Sequence, residues 1–204
     1  MTEYRIVEIF ESLQGEGYNT GMSAIFIRFA GCNLNCRWCD TNFRRYTPFT
    51  LQQILLHIQR YKSKNIIITG GEPTFVKALP LLLEQLKIAG YYIAIETNGL
   101  AQVDEHIDYI AMSPKFCYQT RYQEIKQTKA DEVRIVVEDH PELIDFCHYI
   151  ERHIEAKRYF VSPCEQNGSF NMLQTIELLG QLNQKRVDNK WLLSIQTHKL
   201  ANIE

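Results

Sequence analysis

Three cysteines stand at C-x3-C-x2-C spacing in "GCNLNCRWCDT", Gly31 to Thr41: Cys32, Cys36 and Cys39. Thiols gathered this tightly in a polar stretch are metal ligands in the making. Structural zinc takes four ligands, so a fourth would have to come from Cys117, Cys147, Cys164 or a histidine far along the chain. A 4Fe–4S cluster held by three thiolates leaves one iron open for an exogenous ligand and needs no fourth protein thiol. A disulfide plus one free thiol is disfavoured in a reducing compartment. Three inert core cysteines do not suit so polar a segment. The spacing and its context favour the open cluster, with zinc as the competing reading.

The elements that must position these thiols read as alternating strands and helices. "YRIVEIF" and "SAIFIRFA" are rich in β-branched and aromatic residues and predict strands. "TLQQILLHIQRY" predicts a helix with Leu51, Ile54, Leu55 and Ile58 on one face and a capping box from Thr50 and Gln53. "NIIIT" is an all-apolar run stopped by Gly70 and Gly71, as expected of a strand buried on both faces. A helix from about Phe75 to Ala89 follows, then strands at "YYIAIE", "DYIAMS" and "DEVRIVV". "PELIDFCHYIERHI" predicts a helix capped by Asp139 and Glu142. "RYFVS", a helix near Asn171 to Gln184 and "WLLSIQ" complete the chain. The class is α/β with a mainly parallel sheet, and 204 residues suit one domain spanning 1–204.

The polar, glycine-bearing stretches fall at the carboxyl ends of successive strands: the cysteine loop, then "TGGEPT", "ETNG", "SPK" and "SPCE". In a parallel sheet or barrel those loops converge on one rim, where ligands bind. Composition is that of a globular protein, 45% hydrophobic and 23% charged. A net charge of −2 leaves no basic footprint for nucleic acid, and no apolar run reaches the ~20 residues of a membrane span. The start, "MTEYRIVEIFES", lacks a signal-peptide pattern, so a cytoplasmic, reducing setting is expected.

C-x3-C-x2-C with Trp38 before the last cysteine, followed one βα unit later by "GGEP", resembles the radical S-adenosylmethionine superfamily. The resemblance implies a partial, laterally open β/α barrel with a 4Fe–4S cluster whose open iron chelates S-adenosylmethionine. A closer set, "EIFESLQGEG", "RFAGCNLNC", "CDT", "TGGEP", "IAIETNG", "SPK" and "LSIQTHKLANIE", covers nearly the whole chain and resembles the 7-carboxy-7-deazaguanine synthase family, known for shortened cores. That family contracts 6-carboxy-5,6,7,8-tetrahydropterin to 7-carboxy-7-deazaguanine with loss of ammonia, using magnesium, on the route to queuosine and other deazapurines.

The resemblance assigns roles residue by residue. Cys32, Cys36 and Cys39 would hold the cluster. Trp38, Cys39, Asp40, Gly71, Glu72, Ser113, Pro114, Lys115, Ser162, Pro163, Cys164 and Glu165 would meet S-adenosylmethionine, the "SPCE" match being the looser one. Leu13, Gln14, Gly15, Glu16, Arg28, Thr69, His198 and the terminal Glu204 would line the pterin. An arginine in that set is the planar fork a substrate carboxylate wants. Thr41 would offer a hydroxyl to magnesium, which keeps most of its waters. Glu96 ends a buried strand and requires a partner that the sequence does not name. The five other histidines are expected at the surface. A flavodoxin- or ferredoxin-type electron donor and a homodimer are implied as well. A glycyl-radical activase and a non-enzymatic metal module are the competing functions; "SLQGEG", "CDT" and "QTHK" speak against the first, "TGGEP" and the common rim against the second.

Overall fold

The computed structural model describes residues 2–39, 41, 45–166, 168–184, 186–188 and 190–203. In chain order the elements are β1 (Glu3–Leu13), β2 (Ser23–Phe29), β3 (Thr47–Thr50), α1 (Leu51–Ile58), β4 (Asn65–Gly70), a 3-10 turn (Pro73–Phe75), α2 (Leu79–Ile88), β5 (Tyr92–Thr97) and β6 (Tyr109–Met112). There follow a second 3-10 segment (Phe116–Glu124), β7 (Lys129–Val137), α3 (Leu143–His153), β8 (Glu155–Pro163), β9 (Glu165–Gln166), β10 (Ser169–Phe170), α4 (Met172–Leu182), β11 (Trp191–Leu193) and α5 (Thr197–Ala201). Nine strands form one sheet in the order β11-β8-β7-β6-β5-β4-β2-β1-β3. From β2 to β11 every pairing is parallel, while β1 joins β2 and β3 antiparallel. The sheet does not close, so β11 and β3 are its two edges, and the architecture is a laterally open, partial β/α barrel. Its core is short: a loop joins β5 to β6, and a 3-10 segment takes the place of a helix between β6 and β7.

The period-two alternation of strands explains where the core and the cavity lie. Ile25, Ile27, Ile66, Ile68, Ile93 and Ile95 point to the outer face and pack with the buried residues of α1 and α2 in one cluster. Val133, Ile135, Val137, Tyr159 and Val161 do the same against α3 and α4 in a second. Each such fully buried aliphatic side chain contributes roughly 1.5–3 kcal/mol relative to exposure. On the opposite face Ala24, Phe26, Ile67, Ala94, Tyr109 and Ala111 make a third, smaller cluster. Both faces of "NIIIT" are therefore buried, and its apolar run needs no alternation.

The helix expected from Phe75 begins instead at Leu79. Pro80 lies in its first turn, and a proline ring at a deeper position would strike the carbonyl of Val76, whose backbone is extended. The capping box of Thr50 and Gln53 forms as read. Glu142 is the N-cap of α3 but makes no side-chain capping bond, so the cap read for Asp139 and Glu142 is not realised. β3 contains Pro48, tolerated because the strand is a sheet edge. Among the described residues no helix is long and apolar enough to cross a membrane.

Candidate active site

The same alternation that sends isoleucines outward turns the polar ends of the strands inward. β2 carries Arg28, β4 Thr69, β5 Glu96, β7 Arg134 and β8 Ser162, and all five line one cavity of about 690 Å³. The parallel register sets Arg28 beside Thr69 and Val136 beside Ser162. That volume lies within the usual range of small-molecule sites, roughly 300–1,000 Å³.

At one end of the cavity stand Cys32, Cys36 and Cys39, all free thiols. The loop that carries them is fastened to the one after β4: Gly71 N donates to Phe29 O at 3.0 Å and Glu72 N to Gly31 O at 2.9 Å. A side chain at Gly71 would run into the carbonyl of Gly31, so this approach requires glycine. Burial pushes the Cys32 and Cys36 thiols above their ordinary range, so metal binding must release their protons. Among the described residues no three His, Cys, Asp or Glu side chains converge on a single ion. In the same cavity lining the Trp38 indole nitrogen and the Ser162 hydroxyl are buried with no hydrogen-bond partner among the described residues, donors that suit a polar cofactor. Lys115 donates to Ser113 at 2.7 Å and lies 5.0 Å over the Trp38 ring. Glu72, 1% exposed, accepts from Thr74 and Thr97 on Oε1 and from the Asn98 amide on Oε2 at 2.7 Å, leaving acceptor capacity on Oε2.

The other end is organised by Arg134, 4% exposed. Its Nη1 donates to Glu16 at 2.9 Å and its Nη2 to Glu96 at 2.7 Å, while Nε lies 3.1 Å from Glu132 without hydrogen-bond alignment. Glu96 also accepts from Gln14 at 3.1 Å and Thr69 at 2.9 Å, and Glu16 from Gln196 at 2.7 Å. Burial opposes ionisation of Glu96, but Arg134 and these donors win and hold its carboxyl at about 2. The same three carboxylates push Arg134 above its ordinary value against its burial. Arg28 is held through Nε by Glu8 at 2.6 Å, and among the described residues its two terminal nitrogens have no hydrogen-bond partner. The end of the chain folds over this half. Thr197 donates twice to Gly15 O, at 2.9 and 3.0 Å, Gly17 N donates to Ser194 at 2.8 Å, and the His198 ring occupies the space a side chain at Gly15 would need.

Residues 26–118 match the model of the Radical SAM superfamily. A 7-carboxy-7-deazaguanine synthase of Haemophilus influenzae is 54% identical over 98% of this chain and 94% of its own. One from Neisseria meningitidis is 50% identical over 99% and 95%. The chain belongs to the 7-carboxy-7-deazaguanine synthase family. The crystal structure of QueE from Escherichia coli matches this synthase-family fold with a TM-score of 0.75 at 28% identity, covering 95% of this chain and 94% of that one. SuiB of Streptococcus suis, 14% identical with a TM-score of 0.51, shares the fold alone. Membership of a radical S-adenosylmethionine family implies a 4Fe–4S cluster and S-adenosylmethionine, which the thiols and unpartnered donors fit.

Of the residues singled out from the sequence of this synthase-family chain, the cavity is lined by Leu13, Gln14, Gly15, Glu16, Arg28, Cys32, Cys36, Trp38, Cys39, Thr41, Thr69, Gly71, Glu72, Ser113, Lys115, Ser162, Pro163, Cys164, Glu165 and His198. Pro114 is not in the lining. Asp40 and Glu204 lie outside the described residues. No other histidine lines the cavity. Sequence reasoning missed Arg134, Glu132, Asn98, Gln196 and Glu8. Arg134 had a signal: a lone guanidinium within the apolar run "VRIVV" needs a buried anion, and Glu96 was the carboxylate without a partner.

Proposed function

We propose that this chain is a radical S-adenosylmethionine enzyme that converts 6-carboxy-5,6,7,8-tetrahydropterin to 7-carboxy-7-deazaguanine with loss of ammonia, in queuosine and 7-deazapurine biosynthesis, and that residues 1–204 act as one domain. The observation that carries this reading is one cavity lined by three thiols and by Arg28, whose terminal nitrogens have no hydrogen-bond partner among the described residues, with Gln14, Glu16 and Thr69 in the same lining. Cys32, Cys36 and Cys39 hold the cluster. Trp38, Asp40, Gly71, Glu72, Ser113, Pro114, Lys115 and the Ser162 to Glu165 segment receive S-adenosylmethionine, Cys39 touching both. When bound, cluster and cofactor supply a carbon-centred radical after uptake of one electron.

The remaining chemistry belongs to the chain. Arg28 presents its terminal nitrogens to the substrate carboxylate while Glu8 fixes its orientation. Gln14 and Glu16 offer acceptors to the N–H edge of the pterin, with Leu13, Gly15, Thr69, His198 and Glu204 completing its enclosure. Thr41, which lines the cavity near the cysteines, gives a hydroxyl to a mostly hydrated Mg²⁺ shared with the substrate carboxylate. A flavodoxin- or ferredoxin-type donor, a homodimer and a cytoplasmic setting belong to the same reading, the first because the radical step consumes one low-potential electron. Anaerobically reconstituted protein given the carboxypterin, S-adenosylmethionine, Mg²⁺ and dithionite tests it. 7-Carboxy-7-deazaguanine and 5′-deoxyadenosine should both appear by mass spectrometry. Deoxyadenosine without deazaguanine would make this a radical enzyme for another substrate.

A further inference from the structure

The stretch from Asn33 to Cys36 has little holding it from within. Leu34 N donates to Cys32 Sγ at 3.4 Å and Cys39 N to Cys36 O at 3.3 Å, while Asn35 and Cys39 are exposed. Leu34 is buried and Asn98 Nδ2 donates to the Asn33 side chain at 2.7 Å, but the backbone of Asn33 and Asn35 is held by the 3-10 segment after β6, more than eighty residues away. The Asn35 N–H donates to the Tyr118 hydroxyl at 2.9 Å, and Arg121 Nη1 donates to the Asn33 carbonyl at 3.0 Å, two backbone groups between Cys32 and Cys36. The Cys117 thiol, adjacent to Tyr118 on this segment, meets that of Cys36. The segment is itself a fixed post: Phe116 and Tyr122 are buried in the core cluster of β7 and α3, and the Tyr122 hydroxyl bridges Lys115 N at 3.0 Å and Asn98 O at 2.9 Å. Neither Tyr118 nor Arg121 is among the residues that line the cavity.

We infer that Tyr118 and Arg121 are positioning residues that clamp the cysteine loop, setting Cys36 and holding the loop closed over the cluster. The inference rests on the cluster reading above. Release of iron requires the loop to open, because Cys32, Cys36 and Cys39 are its protein ligands and the Asn33–Cys36 backbone links two of them. The clamp acts on that opening through two hydrogen bonds that are not themselves ligation. Both bonds are exposed, so each contributes at the low end of the ordinary range.

The test uses the reconstituted holoenzyme under anaerobic conditions and follows transfer of iron to a ferrous chelator in wild type, Tyr118→Phe, Arg121→Ala and Arg121→Lys. Tyr149→Phe serves as the comparison: it removes a hydroxyl bound to Tyr122 O at 3.0 Å, on the same segment but away from the loop. Tyr118→Phe should speed release about threefold and Arg121→Ala about fivefold, the scale of one exposed hydrogen bond each. Arg121→Lys should recover part of the loss, and Tyr149→Phe should stay near wild type. Tyr118→Phe removes one oxygen from a half-buried ring, so it reports even if Arg121→Ala fails to fold. Release at the wild-type rate in both Tyr118→Phe and Arg121→Ala, with clusters fully loaded, overturns the clamp while leaving the synthase reading intact. Equal acceleration by Tyr149→Phe overturns it too, since loss of fold would then explain the effect. Wild type that takes up no 4Fe–4S cluster overturns both readings together.

Discussion

Replacing Arg134 by methionine removes the cation that pairs with Glu16, Glu96 and Glu132 while keeping most of the side chain's volume. Glu96 is held at about 2 against an ordinary 4.5, and that difference corresponds to about 3 kcal/mol of folding stability at neutral pH. Leaving the partners of a buried ion pair unpaired typically costs about 3–5 kcal/mol, a range consistent with that figure. Against a total of roughly 5–15 kcal/mol, the loss is large but survivable. Its pH dependence is the sharper signature. In the wild type the folded value of Glu96 lies below the unfolded one, so its contribution is full above about pH 4.5 and is lost as pH falls toward 2. In Arg134→Met the carboxylates face one another in a buried site, and their folded values rise above the unfolded ones. The variant's penalty is then greatest at high pH and eases as they protonate. Urea unfolding of the cluster-free protein, followed by circular dichroism at about pH 7.5 and about pH 5, should show the gap between wild type and variant narrowing at the lower pH. A gap below about 1 kcal/mol at neutral pH, or one equal at both values, would refute the assignment of Arg134 as the electrostatic centre of this half.

Replacing Cys32, Cys36 or Cys39 by alanine should abolish the iron–sulfur chromophore, whereas Cys147→Ala and Cys164→Ala should retain it; loss with Cys164→Ala as complete as with Cys36→Ala would point to a four-thiolate site. Gly71→Ala drives a methyl group into the Gly31 carbonyl and should lower iron content after reconstitution, with normal iron content as the contrary result. Arg28→Ala should raise KM for the carboxypterin by about tenfold or more and leave S-adenosylmethionine binding by calorimetry unchanged; equal weakening of both would remove Arg28 from the substrate end. Chelation of Mg²⁺, or Thr41→Ala, should slow deazaguanine formation more than deoxyadenosine formation, and a full rate in chelator would leave Thr41 without a catalytic metal.

The cysteine spacing and the strand-end loops were legible because each is local: three thiols within one loop, and glycines where chain must pass close to chain. Thr50 and Gln53 announced α1 for the same reason, since a capping box is complete within four residues. The start of α2 was misplaced by apolar periodicity, although Pro80 carried the correcting signal. α5 went unread because its five residues are too few to show a period, and the left-handed Asn202 that ends it has no unique sequence mark. Arg134 and Glu96 each looked anomalous alone. Their pairing depends on β6 lying between β5 and β7 in the sheet, a fact of topology and not of either strand. Tyr118 and Arg121 had no signal at all, since a half-buried tyrosine and an exposed arginine after a strand are ordinary residues of a protein surface.

The contacts between Gly15 and Thr197 and between Gly17 and Ser194 join the first strand's loop to the last strand's loop. During synthesis the two partners are separated by nearly the whole chain, so the segment from Gln14 to Gly17 leaves the ribosome long before the last strand's loop exists to dock against it. The cysteine loop meets its first support, the strand and loop ending at Glu72, after only about forty more residues. The two halves of the cavity therefore mature at different times: the cysteine half can be framed while the ribosome is still working, and the half around Gln14 to Gly17 is finished last. A change in the segment from Ser194 to His198 acts on the half around Gln14 to Gly17 first, and reaches the thiols only through the fold they share.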